Sequence, residues 1–312
     1  MPTLDNEDHI MRHLTIMLLL LLVPYVALGD YSRTYIDGYP FASATTNNVE
    51  IAYKVIGEND NPPVVLIMGL GASHALWGDD FVRGVEHAGY QVILIDNRDT
   101  GGSSRFTQWG EPTLWWQFLK NQFGFDVDAP YVLDDMATDA IAVMDELNIE
   151  KAHIVGASMG GMIAQIIAAQ HPERALSLVS IMSTTGAPHL PPPGSDSADS
   201  IRNLADTDGQ ETDQFTLMRE RGFYPEAIPR QLMAIMKTGD RSSAVASIHV
   251  PTLVLHGQDD TLLPPAHGKH TADLIKGSEI HIFEGMGHNL PEAILPDLLL
   301  RMNTHMASNI GD

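Results

Sequence analysis

Beyond Asp30 the apolar residues of this chain come in two rhythms. VEIAYKVIG (49–57) alternates apolar and polar positions, as a strand with one covered face does. PVVLIMG (63–69) and QVILIDN (91–97) are apolar almost throughout, and a helix-spaced stretch from Leu76 to Ala88 lies between them. The series continues with a helix over Leu133–Leu147, a strand at His153–Ala157, a helix at Met159–His171 and a strand at Leu176–Ser183. TLVLHG (252–257), a helix near His267–Ile275, the strand EIHIFEG (279–285) and a helix from Pro291 complete it. Fully apolar strands separated by helices predict an α/β fold, with a mainly parallel sheet covered by helices on both faces. No repeat of solenoid period is present.

Two segments break the alternation. Residues 186–248 open with GAPHLPPPG and continue as polar, helix-like pieces holding Met218, Met233 and Met236. They predict a helical cap inserted before the penultimate strand. Residues 107–131 carry Trp109, Trp115, Trp116, Phe118, Phe123 and Phe125, with helical spacing over Leu114–Gln122. Both segments are too long for plain connections, so they are expected to cover a site at the C-terminal edge of the sheet. For any one of these aromatics, ordinary core packing is the simpler expectation.

The N-terminus reads differently. From Met11 to Gly29, MRHLTIMLLLLLVPYVALG has a basic start, an apolar run and a small-residue ending, which is the layout of a secretory signal peptide. Leu14–Val23 is short for a bilayer span and Pro24 interrupts it, so a retained anchor is the weaker alternative. The ten residues before Met11 are acidic, which makes Met11 a candidate start. Residues 1–29 are therefore expected to be removed, placing residues 30–312 outside the cytoplasm as a secreted or periplasmic domain. No stable membrane anchor is then expected.

At 312 residues and 44% hydrophobic, the chain can bury one large core or two small ones. Eighteen Lys+Arg against forty Asp+Glu give a formal charge of −22, which repels phosphate backbones and argues against nucleic acid as a partner. There is no cysteine, so disulfides, thiolate metal sites and a cysteine nucleophile are all excluded.

VGASMGGM (155–162) is where chemistry enters. A serine between strand and helix, within G-A-S-M-G, sits on a sharp turn that exposes its hydroxyl above the sheet edge. Gly156 and Gly160 are expected to lack side chains because the turning backbone passes close to itself. The same turn presents the Met159 N–H to an oxyanion near Ser158. Serine needs a base, and the base needs an orienting acid. FEGMGHNLP places His288 in a loop after the last strand, whereas His153 and His281 lie in strands and His171 ends a helix. His267 and His270 share a helix, and without further ligands they do not make a metal site. LHGQDDTLLP supplies Asp259 and Asp260 after the preceding strand, of which only one can meet His288. A second oxyanion donor is required from the loop after PVVLIMG, and the Leu70 N–H, between Gly69 and Gly71, is assigned to it.

These residues resemble the α/β-hydrolase superfamily along nearly the whole chain beyond the leader. DNRDTGGS (96–103) is similar to its D-x-R-G-x-G-x-S turn, with Asp99 where glycine is usual. PYVLDDMA (130–137), HGKH (267–270) and GMGHNLP (285–291) look closest to the bacterial branch of aclacinomycin methylesterase-like enzymes. The resemblance implies an α/β-hydrolase fold with Ser158 as nucleophile, His288 as base and Asp260, at the G-x-x-D position counted from Gly257, as acid. It implies Leu70 and Met159 as backbone oxyanion donors. Met68 stands where histidine is usual, which leaves the loop's outer hydrogen bonding open. A carboxylesterase or lipase type of serine hydrolase is expected, acting on a small-molecule ester without cofactor or metal. Lactone opening, C–C bond hydrolysis and cofactor-free perhydrolysis are alternatives on the same scaffold, and a binding protein that kept the fold is a further one.

Overall fold

The computed structural model describes residues 36–110, 113, 116, 117, 119, 120, 123–195, 197, 216, 219, 220 and 222–310. The leader, the candidate start at Met11, Trp115, Phe118 and Met218 lie outside the described residues, as does most of the helix expected over 114–122. Eight strands form one sheet: β1 (Ala42–Thr46), β2 (Val49–Ile56), β3 (Pro63–Ile67), β4 (Gln91–Ile95), β5 (Ala152–Ala157), β6 (Ala175–Ile181), β7 (Thr252–Gly257) and β8 (Glu279–Phe283). Their order is β1-β2-β4-β3-β5-β6-β7-β8. β2 runs antiparallel to both its neighbours, and every pair from β4 to β8 is parallel.

The apolar strands are explained by what covers them. Successive side chains of a strand point to opposite faces. Val65, Ile67, Ile93 and Ile95 pack in one core cluster, with Ala140 and Val143 of α2 (Leu133–Glu146) and Ile163 and Ile167 of α3 (Met159–Gln170). Their neighbours Val64, Leu66, Val92 and Leu94 pack in the other. There they meet Phe81 and Val85 of α1 (Asp79–Glu86) and, near the C-terminus, residues such as Leu298 and Met302. With both faces dry, no position in β3 or β4 can be polar without a buried partner.

β2 departs from its alternating expectation. Lys54 is buried because its amine donates to the Ile36 carbonyl at 3.1 Å and sits 4.5 Å from the Phe41 ring centroid. β1 was not foreseen from ASATT, but Asn47 and Asn48 both have positive φ, 49° and 63°. That is the backbone a two-residue hairpin turn needs. The helix expected over Leu76–Ala88 splits into a tight turn at His74–Trp77 and α1, with Gly78 at φ 75° between them.

Between β6 and β7 lie α4 (Ile228–Thr238) and α5 (Ser242–Ala246). After β7 come α6 (Ala266–Leu274) and, beyond β8, α7 (Leu295–Ala307), which begins four residues later than the position of Pro291 suggests. Trp109, Trp116, Phe123 and Phe125 are not core residues: their exposures run from 46% to 68%. No described helix is long and apolar enough to cross a membrane. Chain order reverses between β3 and β5, so the loops that follow these two strands open onto a common crevice.

Candidate active site

Ser158 follows β5 with φ 56° and ψ −119°, a backbone that serine adopts only when its surroundings impose it. The surroundings are close. A Cβ on Gly156 would strike the Gly160 carbonyl, as expected for a turn folding on itself. A Cβ on Gly160 would instead strike the Ile67 carbonyl, so this glycine is required by the neighbouring strand β3 rather than by its own turn. The Ser158 N–H donates to the Ile181 carbonyl at 2.9 Å, and the Ser183 hydroxyl donates to the Ser158 carbonyl at 2.8 Å. The turn is thereby held to β6.

The His288 loop is brought in by β7. Gly257 admits the Met286 carbonyl where a side chain would clash, and Asp259 N donates to that carbonyl at 3.0 Å. His288 Nε2 then lies 2.9 Å from Ser158 Oγ, and its Nδ1 lies 2.8 Å from Asp260 Oδ2. A carboxylate can only accept, so Nδ1 carries the proton and Nε2 accepts from the serine hydroxyl. Asp260 is buried, and its Oδ1 accepts from the N–H groups of Leu262 and Leu263 at 2.9 and 2.8 Å. Burial alone would raise its pKa. Hydrogen bonds from His256 and His288, the charge of His288 and the Leu263 N–H outweigh that and hold the carboxyl well below the usual carboxylate range.

The adjacent acid points elsewhere. Asp259 is exposed, and its Oδ2 accepts from Gly285 N at 3.0 Å. The structure therefore brings Ser158, Asp260 and His288 together and leaves Asp259 outside.

The two assigned oxyanion donors flank the serine. Met159 is the first residue of α3, and the position of a Cβ on Gly69 would lie 3.5 Å from Ser158 Oγ. Among the described residues, neither the Leu70 nor the Met159 N–H has a hydrogen-bond acceptor. Met68 is buried, and its carbonyl accepts from Asn97 Nδ2 at 2.7 Å, so the loop is held from this side by an amide of the β4 turn.

His256 was missed in the sequence reading. It is fully buried in β7, with Nε2 2.7 Å from the Leu263 carbonyl and 3.5 Å from Asp260 Oδ2. A donor at Nε2 supports the negative Asp260. The signal was a polar residue in the otherwise apolar TLVLHG, where burial demands a partner. The pair His267 and His270 serves packing: His267 meets Thr184 Oγ1 and the Pro191 carbonyl through its two ring nitrogens, and His270 Nδ1 meets Thr185 Oγ1.

Asp99, the departure from the usual turn, is also accounted for. It has φ 74°, is fully buried, and accepts from Arg230 Nε at 2.9 Å and Nη2 at 3.1 Å. Tyr131 Oη and Phe106 N donate to it as well, both at 2.7 Å. Burial and then the Asp99 charge push the Tyr131 phenol well up, which keeps it a donor.

Comparison with known proteins agrees with this architecture. A model of the alpha/beta hydrolase fold family matches residues 62–216. Rhodomycin D methylesterase DauP of Streptomyces sp. (strain C5) is 30% identical over 311 residues, covering 85% of this chain and 98% of the relative. Rhodomycin D methylesterase DnrP of Streptomyces peucetius is 28% identical with the same coverage, 85% and 98%. Among solved structures, the esterase RhEst1 from Rhodococcus sp. ECU1013 superposes with a TM-score of 0.63 at 20% identity, covering 87% of this chain and 99% of that one. The sheet order, the serine turn after β5 and the relationship to DauP together place this chain in the α/β-hydrolase family.

Proposed function

We propose that this chain hydrolyses carboxylic esters through an acyl-enzyme formed on Ser158. The observation that carries the reading is the continuous line from Ser158 Oγ through His288 to Asp260, at 2.9 and 2.8 Å. His288 Nε2 takes the hydroxyl proton as Oγ bonds to the ester carbonyl carbon, and the carbonyl electron pair moves onto oxygen. The Leu70 and Met159 N–H groups, which have no other acceptor among the described residues, stabilise that oxyanion. Collapse of the intermediate breaks the bond to the alkoxy oxygen, which leaves as alcohol with the proton from His288. Water, activated by the same imidazole, then releases the acid and regenerates Ser158. Asp260 keeps the proton of His288 on Nδ1 and balances the imidazolium.

The relatives named as methylesterases support an ester with a small alcohol group, so methyl esters belong beside p-nitrophenyl esters in the substrate panel. The signal-peptide layout of residues 11–29 supports secretion, and about 186–248 is read as the cap that selects the substrate. A fluorophosphonate probe should label Ser158 stoichiometrically, and Ser158→Ala should abolish both labelling and ester turnover. Labelling at another residue, or turnover that survives in Ser158→Ala, would overturn the assignment.

A further inference from the structure

The oxyanion loop has little internal support. Gly69 and Gly71 flank Leu70, Gly71 has φ 66°, and one bond closes the turn: Ala72 N donates at 3.2 Å to the Gly69 carbonyl, which shares a peptide plane with the Leu70 N–H. Something outside the loop has to supply the rest of the hold on that plane.

The cap does this. Gln231, on α4, is fully buried, and its Oε1 accepts from the Gly71 N–H at 2.7 Å. Its Nε2 donates to the Arg98 carbonyl at 3.1 Å. Both backbone partners have one possible role, so the orientation of the amide is unambiguous. The contact continues along the loop: Tyr224 N donates to the Gly71 carbonyl at 2.6 Å, and Ser73 N donates to the Gly222 carbonyl at 2.8 Å. Ala72 and Phe223 form an antiparallel bridge. On the other side Asn97 Nδ2 holds the Met68 carbonyl. Two side-chain amides thus bracket the dipeptide Gly69–Leu70, one from the β4 turn and one from the cap.

We infer that Gln231 is a positioning residue for the oxyanion hole: by clamping Gly71 N–H to the cap, it aims the Leu70 N–H at the oxygen that becomes negative above Ser158. This rests on the ester-hydrolase reading above. The cap then does more than bound the substrate, because part of the catalytic loop takes its shape from it. Such a residue stabilises charge present only in the transition state, so its loss lowers kcat and leaves KM in place.

Gln231→Met keeps the length and removes both hydrogen bonds. It should lower kcat for a p-nitrophenyl ester about 10- to 100-fold with KM within about twofold, less than the 10²- to 10³-fold cost of deleting an oxyanion donor. Inactivation by a fluorophosphonate, whose phosphoryl oxygen occupies the same hole, should slow by a similar factor. Gln231→Asn, one methylene too short to bridge Gly71 and Arg98, should give the same split and is the variant to read if the methionine protein does not fold. Arg230→Met loosens the same helix without touching Gly71, and is expected to lower Tm while kcat stays within about threefold. An unchanged kcat in a folded Gln231 variant, or equal losses of kcat in the Gln231 and Arg230 variants, would overturn the inference. Failure of the underlying reading is separately visible, since unmodified protein would then not be labelled at Ser158.

Discussion

Two polar chains of similar reach run through this molecule. Ser158–His288–Asp260 joins residues 130 apart in sequence, and Asp99–Arg230 joins residues 131 apart. Both depend on a buried aspartate and a backbone with positive φ, at Ser158 and at Asp99. They differ in what is left over. Each oxygen of Asp99 is doubly occupied, Oδ1 by Arg230 and Phe106 N and Oδ2 by Arg230 and Tyr131, and the Asp99 and Arg230 side chains are only 0% and 3% exposed. The other chain ends at a serine hydroxyl, with His288 20% exposed and, beside it, the Leu70 and Met159 N–H groups, which have no acceptor among the described residues. A saturated network holds parts in place, and an unsaturated one at the surface leaves room for a reactant.

The difference can be broken at four places, in descending order of effect. Asp260→Asn should lower kcat by roughly 10³-fold or more, because the amide cannot hold the proton of His288 on Nδ1. Kinetics on the purified, folded variant checks it. Asp99→Leu strands the Arg230 guanidinium in the interior, and breaking a buried pair in this way costs about 3–5 kcal/mol. Denaturant unfolding should show that loss, with kcat of the remaining folded protein reduced far less than in Asp260→Asn.

The third place lies outside both chains. Burial, with His305 adding to it, pushes the His153 imidazole down to about 4, against an ordinary value of 6.5. Folded His153 therefore stays neutral through a range in which the unfolded chain takes up a proton. Stability falls as pH drops from about 6.5 to 4, by up to roughly 3 kcal/mol at the lower end and about 2 kcal/mol at pH 5. Unfolding midpoints at pH 7 and pH 5 measure it, and His153→Gln should flatten the slope. Asp259→Asn is the smallest perturbation. The amide oxygen can still accept from Gly285 N, so kcat should change by less than about tenfold. If this variant were the crippled one, the roles of the two aspartates would have to be exchanged.

Much of this was legible along the chain. Strands β3, β4, β5 and β7 stood out as apolar runs because both faces of the sheet are covered. The serine turn stood out because close backbone approach leaves only glycine at 156 and 160. Less legible were β1, whose signal was the pair Asn47-Asn48 rather than its own residues, and the break at Gly78. The surface position of Trp109, Trp116, Phe123 and Phe125 went against their composition, since an aromatic side chain alone does not say whether anything covers it.

Periodicity and glycine placement are local properties, set by backbone sterics and by the alternation of side chains, so the sequence by itself determined the order of the strands from β2 to β8, the alternation of strand and helix along them, and the turn that carries Ser158. Which neighbour a polar side chain meets is a long-range property. Asp259 and Asp260 are adjacent carboxylates of the same chemistry, and only the family spacing counted from Gly257 favours Asp260 in the sequence. The physical reason is tertiary: the Met286–His288 backbone approaches Gly257 so that Asp260 meets His288 and Asp259 binds Gly285. In the same way, nothing around Gln231 in the sequence names Gly71 and Arg98 as its partners. That choice arises when α4 packs beside the loop after β3 and burial requires the Gln231 amide to find partners there.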